Sequence, residues 1–165
     1  MSNYKGEDRL EKFYTPPELS SELFSLLDRF HKEPISEYLE TSAGDGKLID
    51  LFDGPYIAFD IKNETNRPDI KECDYLKEKI EYKKGRVCVM NPPFQKGLKF
   101  LNKALKESDY VVSILSQNSL LNIDYTKVWC DEIQLWRKYD FGSCKVGLIL
   151  VACRKKTEED KYEYD

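Results

Sequence analysis

The sequence predicts an open α/β sandwich: a mostly parallel sheet of about seven strands, covered by helices and finished by a C-terminal β-hairpin. Three observations predict it. Strand-like and helix-like segments alternate from end to end with no linker and no internal repeat, as chained βα units require. Tyr56–Ile61 and Arg86–Met90 are short apolar runs of the kind that strands buried on both faces carry. Ile133–Tyr139 and Val146–Cys153 follow one another around Phe141-Gly142-Ser143, which reads as a hairpin.

The elements follow in order. Met1–Lys12 is polar and is expected to form a flexible extension, residues 1–12, ahead of a domain over residues 13–154. Thr15-Pro16-Pro17-Glu18 reads as a capping box, with Thr15 as N-cap, Glu18 reaching back and prolines in the first turn. Leu19, Leu23, Leu26, Leu27 and Phe30 then recur at helical spacing as one apolar stripe. Ser36–Thr41 is a short strand, followed by the turn Ser42-Ala43-Gly44-Asp45-Gly46 and a helix over Lys47–Phe52. Tyr56–Ile61 is the next strand, and a loop with weak helical character spans Asn63–Tyr82. Arg86–Met90 is a strand that must end at Asn91-Pro92-Pro93-Phe94, because prolines cannot continue a ladder. Leu98–Lys106 has helical periodicity, Tyr110–Leu115 is a strand, and Tyr125–Asp131 is a further helix before the hairpin. The charged tail, residues 155–165, lacks periodicity and is expected to fray.

The bulk numbers bound the function. At 165 residues with 41% apolar composition, the chain can bury one substantial core. No apolar run is long enough to span a bilayer, and the N-terminus lacks the apolar stretch of a signal peptide. A cytoplasmic protein with no membrane partner is expected. Cys73, Cys88, Cys130, Cys144 and Cys153 include no CxxC pair and His31 is the only histidine, so no metal site is expected. The formal net charge of −4 differs from the basic balance usual in nucleic-acid binders, although a local basic face is compatible with it.

Three strand ends carry unusual residues, and a parallel sheet places all three on one edge, where ligands of such sheets bind. After the first strand, the small residues and glycines of Glu40–Gly46 let backbone approach a ligand closely; a plain tight connection uses the same residues. Asp60 ends the next strand, placed either to accept ribose hydroxyls or as a turn aspartate. Asn91-Pro92-Pro93-Phe94 is the most specific feature. Its prolines hold successive carbonyls in a set direction. The asparagine carbonyl and a proline carbonyl can accept both hydrogens of a planar amino group, while Phe94 offers a face to a flat base. Two acceptors on those hydrogens favour a pyramidal nitrogen and expose its lone pair, so no strong general base is needed.

On these residues the chain resembles the Rossmann-like amino-group methyltransferases, specifically the S-adenosylmethionine-dependent N6-adenine DNA methyltransferases. Asn91, Pro92, Pro93 and Phe94 match the family's catalytic motif. Leu39–Gly46 looks like the cofactor loop, in which Glu40 and the Gly44 backbone would meet the methionine part of S-adenosylmethionine, with Ser42 and Gly46 also cofactor-binding. Asp60 and Ile61 match the ribose-binding and adenine-flanking positions, and Asp74-Tyr75-Leu76 the segment whose aspartate accepts from the cofactor's adenine. Phe13-Tyr14-Thr15-Pro16 resembles the motif that closes over the methionine carboxylate, which places Tyr14 and Thr15 at the cofactor. The resemblance covers Phe13 to Arg154 and implies N6-adenine methylation of DNA, as in restriction–modification. The same chemistry on RNA or on a protein glutamine, and a non-catalytic cofactor-binding subunit, are the alternatives. With no room for a separate target-recognition domain, a protein partner or second copy is expected to supply recognition. Lys96, Lys99 and Lys103 fall near one helical face, either to meet a phosphate backbone or as solvated surface.

Overall fold

The computed structural model describes residues 15–140 and 145–162. The expected flexible extension, Tyr14 and the Phe141-Gly142-Ser143 tip lie outside the described residues.

All six runs read as strands form strands, and a two-residue strand joins them. In chain order these are β1 (Glu37–Glu40), β2 (Tyr56–Asp60), β3 (Lys71–Glu72), β4 (Arg86–Met90), β5 (Tyr110–Ser116), β6 (Val128–Asp140) and β7 (Lys145–Lys155). They make one seven-stranded sheet in the order β3-β2-β1-β4-β5-β7-β6. The first five are parallel to one another; β7 runs antiparallel to both β5 and β6.

One α-helix packs on each face among the described residues. Helix α1 (Pro17–Phe30) turns Leu19, Leu23, Leu26 and Leu27 onto a face built from Val87, Val89, Val112, Ile114, Leu148 and Leu150. Each of those four leucines is at most 1% exposed, and burial of each stabilises by about 1.5–3 kcal/mol relative to exposure. Helix α2 (Gly97–Glu107) lays Phe100, Leu101, Ala104 and Leu105 on the other face, against Leu39, Cys88, Met90, Val111 and Ile149. Alternate residues of β4 therefore feed opposite cores, which is why the run reads as continuously apolar.

Five expectations are corrected. The N-cap of α1 is Pro16, not Thr15, and no side chain caps the helix; Thr15 is spent elsewhere, as described below. The helix expected over Lys47–Phe52 is a 3₁₀ turn, Ile49–Leu51, because Gly54-Pro55 closes the segment before a second turn can form. The Asn63–Tyr82 region holds β3 and a 3₁₀ turn at Tyr75–Lys77 rather than a helix. No helix spans Tyr125–Asp131, since pairing to β7 captures the chain from Val128 onward. The tail does not fray as far as it is described. Asp160 is buried and accepts from Arg154 at 2.7 and 2.9 Å and from the Thr157 N–H at 2.6 Å. The Arg154 guanidinium holds its carboxyl well below the usual carboxylate range. Within the described residues, no helix is long and apolar enough to cross a membrane.

Candidate active site

The register of β1, β2 and β4 brings their C-terminal ends side by side, so Glu40, Asp60 and Asn91 stand on one edge. Four hydrogen bonds tie the turns that follow into one unit. The Ser42 N–H donates to Glu40 Oε1 at 3.0 Å, and the Gly44 N–H donates to Asp60 Oδ2 at 2.7 Å. Ser42 Oγ donates to the Asn91 main-chain carbonyl at 3.1 Å, and Asn91 Nδ2 donates to Thr15 Oγ1 at 3.2 Å. Thr15 therefore orients the Asn91 carboxamide instead of capping α1. Thr15 is only 8% exposed, so the contact is shielded from competing water.

The first turn needs its glycines. Gly44 and Gly46 have φ of +58° and +83°, left-handed values that cost other residues about 1–2 kcal/mol. A Cβ on Gly46 would lie 2.0 Å from Arg67 Nη1. The space beside Gly46 is thus filled by Arg67, which pairs with Asp50 at 3.0 Å and Asp69 at 2.7 Å, and not left for a ligand. Gly46 shapes the turn from behind.

Glu40 is fully buried, and its Oε2 is one of three buried polar side-chain atoms with no partner among the described residues. Burial pushes its carboxyl up to about 8; nearby Asp60 adds to the rise, and the backbone N–H groups of Ser42 and Thr41 oppose it. Thr15, Glu40, Ser42, Gly44, Asp45 and Lys47 line a narrow cleft of about 10 Å³. A buried acceptor without a donor at the wall of such a cleft fits a cationic ligand group, and the ammonium of S-adenosylmethionine is one.

The residues expected at the cofactor's ribose and adenine cluster one strand further out. Asp60 Oδ1 accepts the Lys62 N–H at 3.1 Å, and the Asp60 carbonyl accepts the Cys73 N–H at 2.8 Å, which sets Asp74 beside the end of β2. Asp74 caps the following 3₁₀ turn through Leu76 N–H at 3.0 Å. Ile61 is 47% exposed beside them. Tyr75 does not join this group. Its ring is 1% exposed between Phe59 and Phe100, and its hydroxyl donates to Glu107, so the side chain expected at a cofactor is a core residue instead. The Lys103 ammonium sits 3.9 Å from the Tyr75 ring centroid and pairs with Glu107 at 2.5 Å, which removes it from the basic face read in the sequence.

At the end of β4, Asn91 and Pro92 are buried, while Pro93 and Phe94 are half-buried. The Pro93 carbonyl accepts the Lys96 N–H at 3.0 Å, closing a 3₁₀ turn over Phe94–Lys96. Of the two proline carbonyls, the one outside that turn is Pro92's. Phe94 opens onto a separate groove of about 450 Å³, with Gln95, Leu98 and Lys99 on one wall and Ser116, Asn118, Ser119 and Asn122 on the other. Arg67, Asn118 and Asn122 were not legible as site residues, because lone polar residues in loops carry no spacing signal.

Comparison with known proteins places this geometry in a fold. No family model matches the chain, and no curated protein matches it in sequence. Among solved structures, it is similar to a Pyrococcus horikoshii protein provisionally assigned as an RNA methyltransferase, with a TM-score of 0.73 and 18% identity over 93% of this chain and 92% of the other. It is similar to the 23S rRNA methyltransferase ErmE (TM-score 0.62, 14% identity, 89% and 71% covered). It is also similar to the N-methyltransferase NodS of Bradyrhizobium japonicum, solved with S-adenosyl-L-homocysteine (TM-score 0.62, 13% identity, 94% and 95% covered). A type I restriction–modification methyltransferase subunit from Streptococcus thermophilus aligns at a TM-score of 0.64 and 12% identity, with 89% of this chain covering 45% of that one. The chain has the Rossmann-like methyltransferase fold, mostly parallel with an antiparallel C-terminal strand pair.

Proposed function

We propose that the chain is a methyltransferase that moves a methyl group from S-adenosylmethionine to the exocyclic N6 amino group of adenine in nucleic acid, with DNA the favoured polymer. The observation that carries this reading is the placement of Asn91-Pro92-Pro93-Phe94 at a parallel strand end, hydrogen-bonded to the glycine turn through Ser42 and to Thr15. Glu40 and the Gly44 turn would hold the methionine part, Asp60 the ribose hydroxyls, and Ile61 and Asp74 the adenine. When bound, the cofactor supplies an electrophilic methyl group on a sulfonium sulfur.

The acceptor side is the chain's own work. The Asn91 side-chain carbonyl and the Pro92 main-chain carbonyl accept the two hydrogens of the adenine amine, and Phe94 stacks on the ring. Paired in this way, the nitrogen directs its lone pair toward the methyl carbon. The bound cofactor would supply the methyl group and leave as S-adenosyl-L-homocysteine, and the nitrogen would release one proton to solvent. Positioning and fixed dipoles supply the acceleration. In a duplex the base must first leave the stack. A protein partner or second copy would then supply sequence recognition.

RNA is the second reading. It is favoured by the neighbours named for RNA, among them ErmE and a dimethyladenosine transferase from Plasmodium falciparum, aligned at a TM-score of 0.61 and 14% identity. Mass spectrometry of nucleosides decides between them after incubation with S-adenosylmethionine and either unmethylated DNA or unmodified RNA. N6-methyladenine from DNA is the expected product; its appearance from RNA alone selects the second reading. No methylated nucleoside from either polymer overturns both.

A further inference from the structure

The groove beside Phe94 has a composition unlike the rest of the surface. Among the described residues its walls carry amides (Gln95, Asn118, Asn122), hydroxyls (Ser116, Ser119), Leu98 and one ammonium, Lys99, and no carboxylate. The next large groove along the same β5–β6 connection is lined by Asp124, Asp131 and Glu132. In a chain with 30 acidic and 26 basic residues, the negative charge is thus kept out of the groove that continues from the acceptor motif.

The far wall is also pre-shaped. A 3₁₀ turn over Gln117–Leu121 is stitched by Asn122 Nδ2 donating to the Asn118 carbonyl at 2.8 Å and by the Asn122 N–H donating to the Ser119 carbonyl at 2.9 Å. The Asn118 side chain makes no hydrogen bond, and Lys99 no ion pair, among the described residues; both are exposed. Lys103, one turn along α2, is by contrast consumed by Glu107.

We propose that this groove holds the nucleotide adjoining the acceptor base, with Lys99 on its phosphodiester and the Asn118 amide on its base or sugar edge. The occupant is an extended single strand of nucleic acid. An amide matches a base edge because it both donates and accepts, and a lone ammonium matches one phosphate. A groove without carboxylates imposes no repulsion on the backbone, and the Phe94 face continues it as a stacking platform. This rests on the nucleic-acid reading above, yet it is tested by binding rather than turnover.

The test is fluorescence anisotropy of a short single-stranded oligonucleotide with one adenine, in the presence of S-adenosyl-L-homocysteine, over a range of salt. Lys99→Gln is expected to weaken binding by roughly 3- to 10-fold, equally for all sequences, and to reduce the slope of log K against log salt by about 0.7. Asn118→Asp, which places a carboxylate in the groove, is expected to weaken it at least as much. Calorimetric titration with S-adenosyl-L-homocysteine should give wild-type affinity for both variants, showing that the fold and cofactor cleft are intact. Unchanged oligonucleotide affinity and salt slope in both variants would overturn the groove assignment, as would a wild-type chain that binds no oligonucleotide. The methyltransferase reading fails separately, if the wild-type chain does not bind S-adenosyl-L-homocysteine.

Discussion

The turn after β1 and the turn after β4 lie side by side on the same edge and are built on opposite principles. The first is made permissive by Gly44 and Gly46 at positive φ and is surrounded by carboxylates: Glu40, Asp60 and, behind it, the Arg67–Asp50–Asp69 cluster. The second is made rigid by Pro92 and Pro93 and offers neutral carbonyl acceptors. The difference matches two different ligand chemistries. Buried carboxylates suit a cationic ligand that must be captured and released. Fixed neutral dipoles suit an uncharged amine whose hydrogens must be held without being removed. Ser42 couples the two turns, so neither can shift far without the other.

Breaking the rigid turn should have the largest effect. Asn91→Ala is expected to lower turnover by about 10²–10³-fold, because it removes an acceptor aimed at charge developing on the amine. Single-turnover methyl transfer measures it, and a loss of only a few-fold would leave the comparison without its catalytic half.

Gly46→Ala attacks the permissive turn. It forces an L residue to φ +83° and pushes Arg67 off Asp50, so a loss of about 1–3 kcal/mol in chemical denaturation is expected. A neutral result would show that the turn tolerates a side chain and that its glycine is not structural.

Glu40 sharpens the comparison through pH. In the ligand-free fold its carboxyl is pushed up to about 8, so between roughly pH 4.5 and 8 the native state holds a proton that the unfolded chain has released. Stability must therefore fall as pH rises through that window and level off above it. Glu40→Gln should flatten the profile and raise the melting temperature at pH 8.5, while weakening cofactor binding. Thermal melts from pH 5 to 8.5 read the first effect; an unaltered profile would mean that Glu40 is not a buried acid.

Thr15→Val should have the smallest effect. It keeps the shape and removes the acceptor for Asn91 Nδ2. Turnover should drop by about 3- to 10-fold, with cofactor affinity unchanged. Equal losses in both would place Thr15 at the cofactor rather than on the asparagine.

The sheet edge was legible in the sequence because strand ends in a parallel sheet are marked by what cannot continue a strand. Arg86–Met90 is bounded by prolines and Glu37–Glu40 by a glycine turn, and both appear within a residue of expectation. What was not legible depends on partners distant in the chain. Thr15 has every local mark of an N-cap and is diverted by Asn91, 76 residues away. Tyr75 follows Asp74 in a cofactor-like segment and is drawn into the core by Phe59, Phe100 and Glu107. Val128 lies where a helix was expected and is held as strand by Lys155 across the hairpin. Lys99 and Lys103 share a helical face in sequence, and only the packing of α2 separates the exposed one from the one that Glu107 ties down.

The division of labour along the edge is tested most directly by titrating S-adenosyl-L-homocysteine into the wild-type chain, Asn91→Ala and Asp60→Ala under one set of conditions. The account predicts equal affinity for the wild type and Asn91→Ala, and affinity weakened by about 10-fold or more for Asp60→Ala, whose buried carboxylate would otherwise receive the ribose hydroxyls. An Asn91→Ala chain that loses affinity, beside an Asp60→Ala chain that keeps it, would contradict the assignment of one turn to the cofactor and the other to the acceptor.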